Sequence, residues 1–215
     1  QTSDDLESVL RQQSVARLAT RADTLGRAEV GAVLFHTSAA ACVKCHADEG
    51  DESPLGPTIS ELGDGTTTTH VIESILYPSK SIRKGYETWK VLTVDGKVRS
   101  GIRVDAPSEQ IVLRDASNLE DSIRIAKADI EAMVASETSL MPKGLASALR
   151  DEQAFYDVVK YVVEVARGGP DRARQLKPSA AELAVDDDTE NLDHAGILRG
   201  LGADDFEAGK SIYFG

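Results

Sequence analysis

Apolar residues follow a helical period in several stretches of the chain. In residues 151–166 they recur at i, i+3, i+4, i+7 and i+11, as Phe155, Val158, Val159, Val162 and Ala166. Asp151 is a suitable N-cap, and Gly168–Gly169–Pro170 is expected to end this helix. Shorter helices are predicted from Ala28 onward and over Val71–Leu76. The pattern indicates a helical core around residues 151–166.

The N-terminal part gives two different signals. The helix predicted from Ala28 has Gly31 and Phe35 one turn apart, a spacing that would let it cross closely against residues 151–166. Residues 1–22 have only a few apolar positions among many polar ones. We therefore expect a solvent-facing helix or linker there, ended by Gly26.

Residues 86–126 change to a strand pattern. Alternating apolar residues flank Asp95–Gly96, which is typical of a hairpin with a tight turn. Further apolar runs at Ile111–Leu113 and Ile123–Ile125 extend the pattern to roughly four strands. We expect a small curled sheet beside the helices, with the single tryptophan, Trp89, buried in it.

Composition excludes several classes of function. The 215 residues carry a net charge of −12, which argues against nucleic-acid binding, where a basic footprint is expected. No run approaches the roughly 20 apolar residues of a membrane-spanning helix. Gln1 is not followed by the segments of a signal peptide, which indicates a mature or excised chain. After Pro170 the chain is polar and acidic, as in a solvated linker.

The two cysteines of the chain lie in Cys42–Val43–Lys44–Cys45–His46. This Cys-x-x-Cys-His arrangement is that of a covalently attached c-type haem. Two thiols one turn apart can each form a thioether with a vinyl group of the haem. The adjacent imidazole of His46 can then serve as an axial ligand of the iron. The sequence therefore predicts one covalently bound haem c.

The sixth ligand of that iron has several candidates. Met141 lies in a loop-like stretch stiffened by Pro142, so we predict Met141 as the ligand. Met133 lies on an apolar stripe and is expected in the core. The remaining histidines, His36, His70 and His194, are expected at surface or cap positions. His36 and His70 are kept as alternative ligands.

Two other readings of the cysteine pair are weaker. A thiol oxidoreductase would place Cys-x-x-Cys after a strand in a βαβ unit, and Ala39–Ala40–Ala41 precedes the pair here. A zinc site would need a fourth ligand besides Cys42, Cys45 and His46, and the chain has no second cysteine pair.

Residues about 26–167 resemble class I c-type cytochromes, and more narrowly the haem-binding domain of large planctomycete and verrucomicrobial proteins. The resemblance rests on Cys42–His46, Gly56–Pro57, Ile75–Ser79, Gly85–Tyr86, Asp95–Gly96, Ser139–Pro142 and Gly144–Leu145. It implies that the carbonyl of Pro57 accepts a hydrogen bond from His46. It also implies attachment of the haem outside the cytoplasmic membrane, hence a periplasmic or other extracytoplasmic location.

The resulting expectation is a mainly α cytochrome c fold with an inserted small β-rich subdomain, α+β overall. Residues 1–25 are expected to form an N-terminal linker or helix, and residues 26–84 the proximal half of the core. The β-rich insertion takes residues 85–130. The distal loop and the C-terminal helix follow in residues 131–169, and a polar tail in residues 170–215. The end of the tail echoes the start of the haem region, since Glu207, Gly209, Ile212 and Tyr213 align with Glu29, Gly31, Leu34 and Phe35. The echo is either a coincidence or the start of a second haem domain.

The expected function is electron transfer, because substrate cannot reach an iron that has both axial positions filled. The chain is expected to be a module of a larger redox protein and not an enzyme. Its partner would be a dehydrogenase, another cytochrome or an oxidase. The alternative is a haem-based gas sensor or peroxide-reducing domain with a labile sixth ligand. A third possibility is an interaction role, in which the β-rich insertion docks the chain onto a dehydrogenase.

Overall fold

A computed structural model describes residues 5–40, 42–50, 55–104, 108–115 and 118–184. The α-helices are α1 to α6: Leu6–Arg11, Val15–Leu25, Ala28–Thr37, Thr68–Leu76, Glu152–Leu176 and Ala180–Leu183. Four short 3-10 helices lie between them in the described segments: Cys42–Lys44, Ile59–Glu61, Lys127–Asp129 and Leu145–Ala148. None of the helices in these segments is long and apolar enough to cross a membrane.

Five antiparallel strands form one sheet in the order β4-β3-β2-β1-β5. Their bounds, from β1 to β5, are Thr88–Thr93, Val98–Val104, Gln110–Asp115, Asn118–Ala126 and Ile130–Ala135. The predicted hairpin is confirmed: Asp95–Gly96 joins β1 to β2, and Gly96 has φ +78°. The sheet has its own apolar cluster, in which Val91 and Leu113 are fully buried and Trp89 is partly buried.

The expected mainly α cytochrome c fold is wrong. The structure is an α+β fold with a five-stranded antiparallel sheet and six described helices, and these elements do not support the cytochrome c assignment. The sheet has its own apolar cluster, separate from that of the helices, so it is a main part of the architecture. It also runs on to Ala135, because β5 pairs with β1 and places Met133 opposite Val91.

The helical core forms around α5, as the periodicity predicted. Helix α3 crosses α5 so closely that a Cβ on Gly31 would lie 2.0 Å from the carbonyl oxygen of Asp157. The prediction of a close crossing at Gly31 is therefore confirmed. A solvent-facing N-terminal segment is not what the structure has. Leu10 and Leu18 are fully buried in the helical core, because α1 and α2 pack against more distant parts of the chain.

The predicted stop at Gly168–Gly169–Pro170 is a break in the helix. Gly169 has φ 64° and ψ −159°, which only glycine adopts readily, and α5 then continues to Leu176. The chain divides into two units, Gln1–Pro178 and Ser179–Gly215. In the second unit, Ser179 caps α6 and forms a capping box with Glu182. The residues aligned with the haem region, from Glu207 to Tyr213, lie outside the described residues, as does His194.

Candidate functional site

The Cys-x-x-Cys-His segment forms a tight turn directly after α3. The carbonyl oxygen of Cys42 accepts hydrogen bonds from the backbone N–H of Cys45 at 3.1 Å and of His46 at 2.9 Å. The two thiols are therefore held about one helical turn apart. Both side chains are partly buried, and the thiols are not joined in a disulfide. Neither sulfur is therefore bonded to the other.

Residues 55–59 lie alongside the turn formed by Cys42–His46. The backbone N–H of Gly56 donates to the carbonyl of Cys45 at 2.8 Å, and the N–H of Ile59 donates to the carbonyl of Ala47 at 2.8 Å. Leu55 and Ile59 are buried, which fixes the segment against the protein interior. These contacts place Gly56 and Pro57 directly beside His46.

The expected hydrogen bond between His46 and Pro57 is present. Nδ1 of His46 lies 3.0 Å from the carbonyl oxygen of Pro57. Because a carbonyl oxygen only accepts, Nδ1 carries the proton, and Nε2 of the neutral ring keeps its lone pair. Burial lowers the pKa of His46, while the hydrogen bond to Pro57 acts in the opposite direction. The neutral ring, with Nε2 available as a ligand, is therefore favoured.

Gly56 leaves room for the imidazole of His46. A Cβ on residue 56 would lie 2.3 Å from Cε1 and 2.5 Å from Nδ1 of the ring. We expect Gly56→Ala to displace the ring, to break its hydrogen bond to Pro57 and to lower the free energy of unfolding by about 2 kcal/mol. Chemical denaturation measures the loss, and the ¹⁵N shifts of the His46 ring report the hydrogen bond. Unchanged ring shifts would contradict the assignment.

The ionisation of the thiols bears on the rival readings. Burial raises the pKa of Cys42 to about 11, and burial also raises the pKa of Cys45. Dithiol oxidoreductases need the opposite, a thiol whose pKa is lowered so that it is a thiolate near neutral pH. For zinc, no group of three or more His, Cys, Asp or Glu side chains in the described segments is placed so that it could hold a metal ion. Both rivals therefore lack support from the contacts around the motif.

His36 belongs to a polar cluster next to the motif. Its Nδ1 lies 2.9 Å from the carbonyl oxygen of Ala32, and its Nε2 lies 3.3 Å from the carboxylate of Asp48. The hydroxyl of Tyr161 also donates to Asp48, at 3.3 Å. With both ring nitrogens facing acceptors, His36 is suited to its protonated form and would have to break these contacts to bind iron.

Stability should depend on the protonation of His36. The hydrogen bond to Asp48 raises the pKa of His36 above 6.5, and the same bond lowers the pKa of Asp48. Protonated His36 therefore stabilises the folded protein fully below pH 6.5, and this contribution is lost as the pH rises through the raised pKa. We expect the difference in unfolding free energy between the wild type and His36→Gln to be larger at pH 6 than at pH 8. A difference that does not change with pH would contradict this.

The two methionines lie in different parts of the structure. Met133 lies in β5, is partly buried and packs against the apolar cluster of the sheet. Met141 lies in the loop after β5 and is partly buried, and its backbone N–H donates to the hydroxyl of Ser139 at 3.1 Å. Within the described segments no hydrogen bond connects Met141 to His46. His70 is exposed in the first turn of α4.

Sequence reasoning missed two parts of this region. Asp48, the partner of His36, and Tyr161, which donates to Asp48, are 113 residues apart, and no local pattern connects them. The sequence also did not predict that Gly56 contacts the His46 ring, although Gly56 belongs to a motif that the sequence analysis singled out. Both depend on how distant segments pack, which residue spacing does not report.

The residues around the turn fit a covalently bound haem c. Two separate thiols are available for thioether bonds, and the imidazole of His46 is held by Pro57 with Nε2 unprotonated. No protein-family model matches the chain, and no curated protein matches it. Its function therefore has to be inferred from its own residues and their contacts.

Proposed function

We propose that the chain binds one haem c through thioether bonds to Cys42 and Cys45, with His46 as an axial ligand, and that it functions in electron transfer. Bound haem supplies a one-electron iron couple. The roles of the chain are to hold the group covalently, to orient the axial imidazole and to limit access to the iron. The resemblance to c-type cytochromes in the motif agrees with these roles.

The observation that carries the proposal is the orientation of His46. A histidine that follows a cysteine pair directly, and donates from Nδ1 to a backbone carbonyl, presents Nε2 as a metal ligand. The hydrogen bond to Pro57 increases the electron-donating strength of the imidazole, and Gly56 permits the ring to lie in this position. A histidine with only a structural role has no need of this arrangement next to Cys42 and Cys45, which are not joined in a disulfide.

The sixth ligand in this proposal is Met141. A thioether ligand raises the reduction potential relative to a second histidine, and filling both axial positions keeps substrates from the iron. The chain would then act as an electron carrier or relay and not as an enzyme. Its partner would be another redox protein, such as a dehydrogenase, a cytochrome or an oxidase. Attachment of haem c implies a periplasmic or other extracytoplasmic location.

The test is the ligation of the iron in protein matured in a host that makes c-type cytochromes. The wild type is expected to contain low-spin ferrous haem that binds carbon monoxide only slowly. Met141→Ala should bind carbon monoxide rapidly and have a lower reduction potential. Met133→Ala is the matched control, because it removes the other methionine from the sheet, and it should behave as the wild type.

The same experiment decides between the proposal and a gas sensor or peroxide-reducing domain. Rapid binding of carbon monoxide by the wild type would contradict simple electron transfer and favour that alternative. If Met141→Ala and Met133→Ala both retain the wild-type spectrum, Met141 is not the sixth ligand.

A further inference from the structure

A buried carboxylate connects the N-terminal helix to the loop that follows Met141. Only 7% of the Glu7 side chain is exposed. Its Oε2 accepts a hydrogen bond at 3.3 Å from the backbone N–H of Ala146, at the start of the 3-10 helix Leu145–Ala148. Its other oxygen is paired with Arg11. Burying a charge is costly unless it is paired, so the carboxylate holds these partners together.

Ser147 adds a second connection between the same two segments. Its hydroxyl accepts a hydrogen bond from the backbone N–H of Glu7 at 3.0 Å and donates to the carboxylate of Asp5 at 2.8 Å. Ala146 is fully buried beside these contacts. Helix α1 and its N-cap Asp5 thus bind Ala146 and Ser147 of this 3-10 helix through three hydrogen bonds, which form a network and not a single contact.

The loop that contains Met141 connects β5 to α5, and the part of it that follows β5 is also fixed. The backbone N–H of Ser139 donates to the hydroxyl of Ser79 at 3.1 Å, just after α4. Arg11, the partner of Glu7, donates to the carbonyl of Leu76 at the end of α4, and its guanidinium lies 5.0 Å from the centre of the Tyr77 ring. Met141 therefore lies between two fixed positions of its loop, Ser139 and Ala146. Arg11 of α1 also contacts the end of α4, close to Ser79.

We infer that Glu7 is a positioning residue for Met141: with Ser147 and Arg11 it holds the loop in place, so that the thioether can reach the iron. This inference rests on the proposed function, since it concerns the sixth ligand. A ligand on a loop needs support, because loops open locally at low free-energy cost unless their ends are fixed. Helix α1 lies outside residues 26–167, the segment that resembles haem domains, but in this proposal it positions Met141.

The test compares Glu7→Gln and Ser147→Ala with the wild type in the haem-loaded protein. Glu7→Gln keeps an acceptor for Ala146 but loses the ion pair with Arg11, and Ser147→Ala removes the bridging hydroxyl. Both should weaken the thioether-to-iron absorption band and raise the rate of carbon monoxide binding about tenfold, the factor that corresponds to about 1.4 kcal/mol. Covalent haem content should not change, because Cys42 and Cys45 are untouched. Amide hydrogen exchange at residues 145–148 should become faster.

Thr68→Val is the matched control. It removes a partly buried side-chain hydrogen bond of 2.6 Å to Asp23, between α4 and α2, and does not change the loop that contains Met141. Wild-type ligation in Glu7→Gln and Ser147→Ala, or the same increase in Thr68→Val, would overturn the positioning role while the proposed function stands. Should Glu7→Gln fail to fold, Ser147→Ala decides. A wild type with covalent haem but no thioether band overturns the inference, and a protein without haem overturns the proposed function as well.

Discussion

Replacing Gly31 by alanine is expected to lower the free energy of unfolding by about 3 kcal/mol. The added Cβ would lie 2.0 Å from the carbonyl oxygen of Asp157 and 2.8 Å from Cβ of Tyr161. Both neighbours belong to α5, whose backbone is fixed by its own hydrogen bonds. Helices α3 and α5 would therefore have to separate, which opens the packing around Phe35. Denaturant titration followed by circular dichroism measures the loss.

Gly65→Ala is the control for this substitution. Nothing lies within 4 Å of a Cβ built on Gly65, so the same chemical change should alter the unfolding free energy by no more than about 0.5 kcal/mol. If Gly31→Ala were as stable as Gly65→Ala, the close crossing of α3 and α5 would not exist as described.

Asp157→Ala is expected to cost about 3 kcal/mol, since it removes a buried carboxylate that several donors share. The side chain of Asp157 is 1% exposed. It accepts hydrogen bonds from the backbone N–H of Arg27 at 2.8 Å, from the Arg27 guanidinium at 2.6 Å and from Gln153 at 2.8 Å. Removing the carboxylate leaves the N–H at the start of α3 without its partner and separates α3 from α5.

Asp171→Ala provides a control on the same helix. Asp171 is 85% exposed and pairs with Arg174 one turn away, so its loss should change stability by less than about 0.5 kcal/mol. Thermal and denaturant unfolding of the two variants side by side measures the contrast. Equal losses would show that the burial of Asp157 adds nothing to its contribution.

Local patterns in the sequence predicted local structure well. The spacing in residues 151–166 predicted α5, and Gly31 with Phe35 predicted the close crossing of α3. Asp95–Gly96 predicted the β1–β2 hairpin. Each of these signals depends on residues a few positions apart, where helical or strand geometry fixes which side chains meet.

Long-range packing accounts for what the sequence did not predict. Ile130–Ala135 is a short apolar run that periodicity alone does not assign, and its pairing with β1 made the sheet larger than expected. Leu10 and Leu18 are separated by many polar residues, so a weak pattern concealed full burial. Glu7 and Ala146 are 139 residues apart, and no spacing rule connects them.

In the candidate site, too, local features were predicted from the sequence and long-range contacts were not. The motif from Cys42 to His46 was readable because its chemistry is encoded in five consecutive residues. The hydrogen bond of His46 to Pro57 came from the resemblance and is present in the structure. The cluster of His36 with Asp48 and Tyr161 required the fold, because its members come from three separate segments.

Covalent haem attachment is the central claim, and the intact mass of the purified protein tests it most directly. After expression in a host that matures c-type cytochromes, the wild type should exceed the mass of its polypeptide by one haem, and the mass should be unchanged under denaturing conditions. A Cys42→Ala/Cys45→Ala variant from the same host should have the polypeptide mass alone. A wild type with the mass of the bare polypeptide would contradict the account.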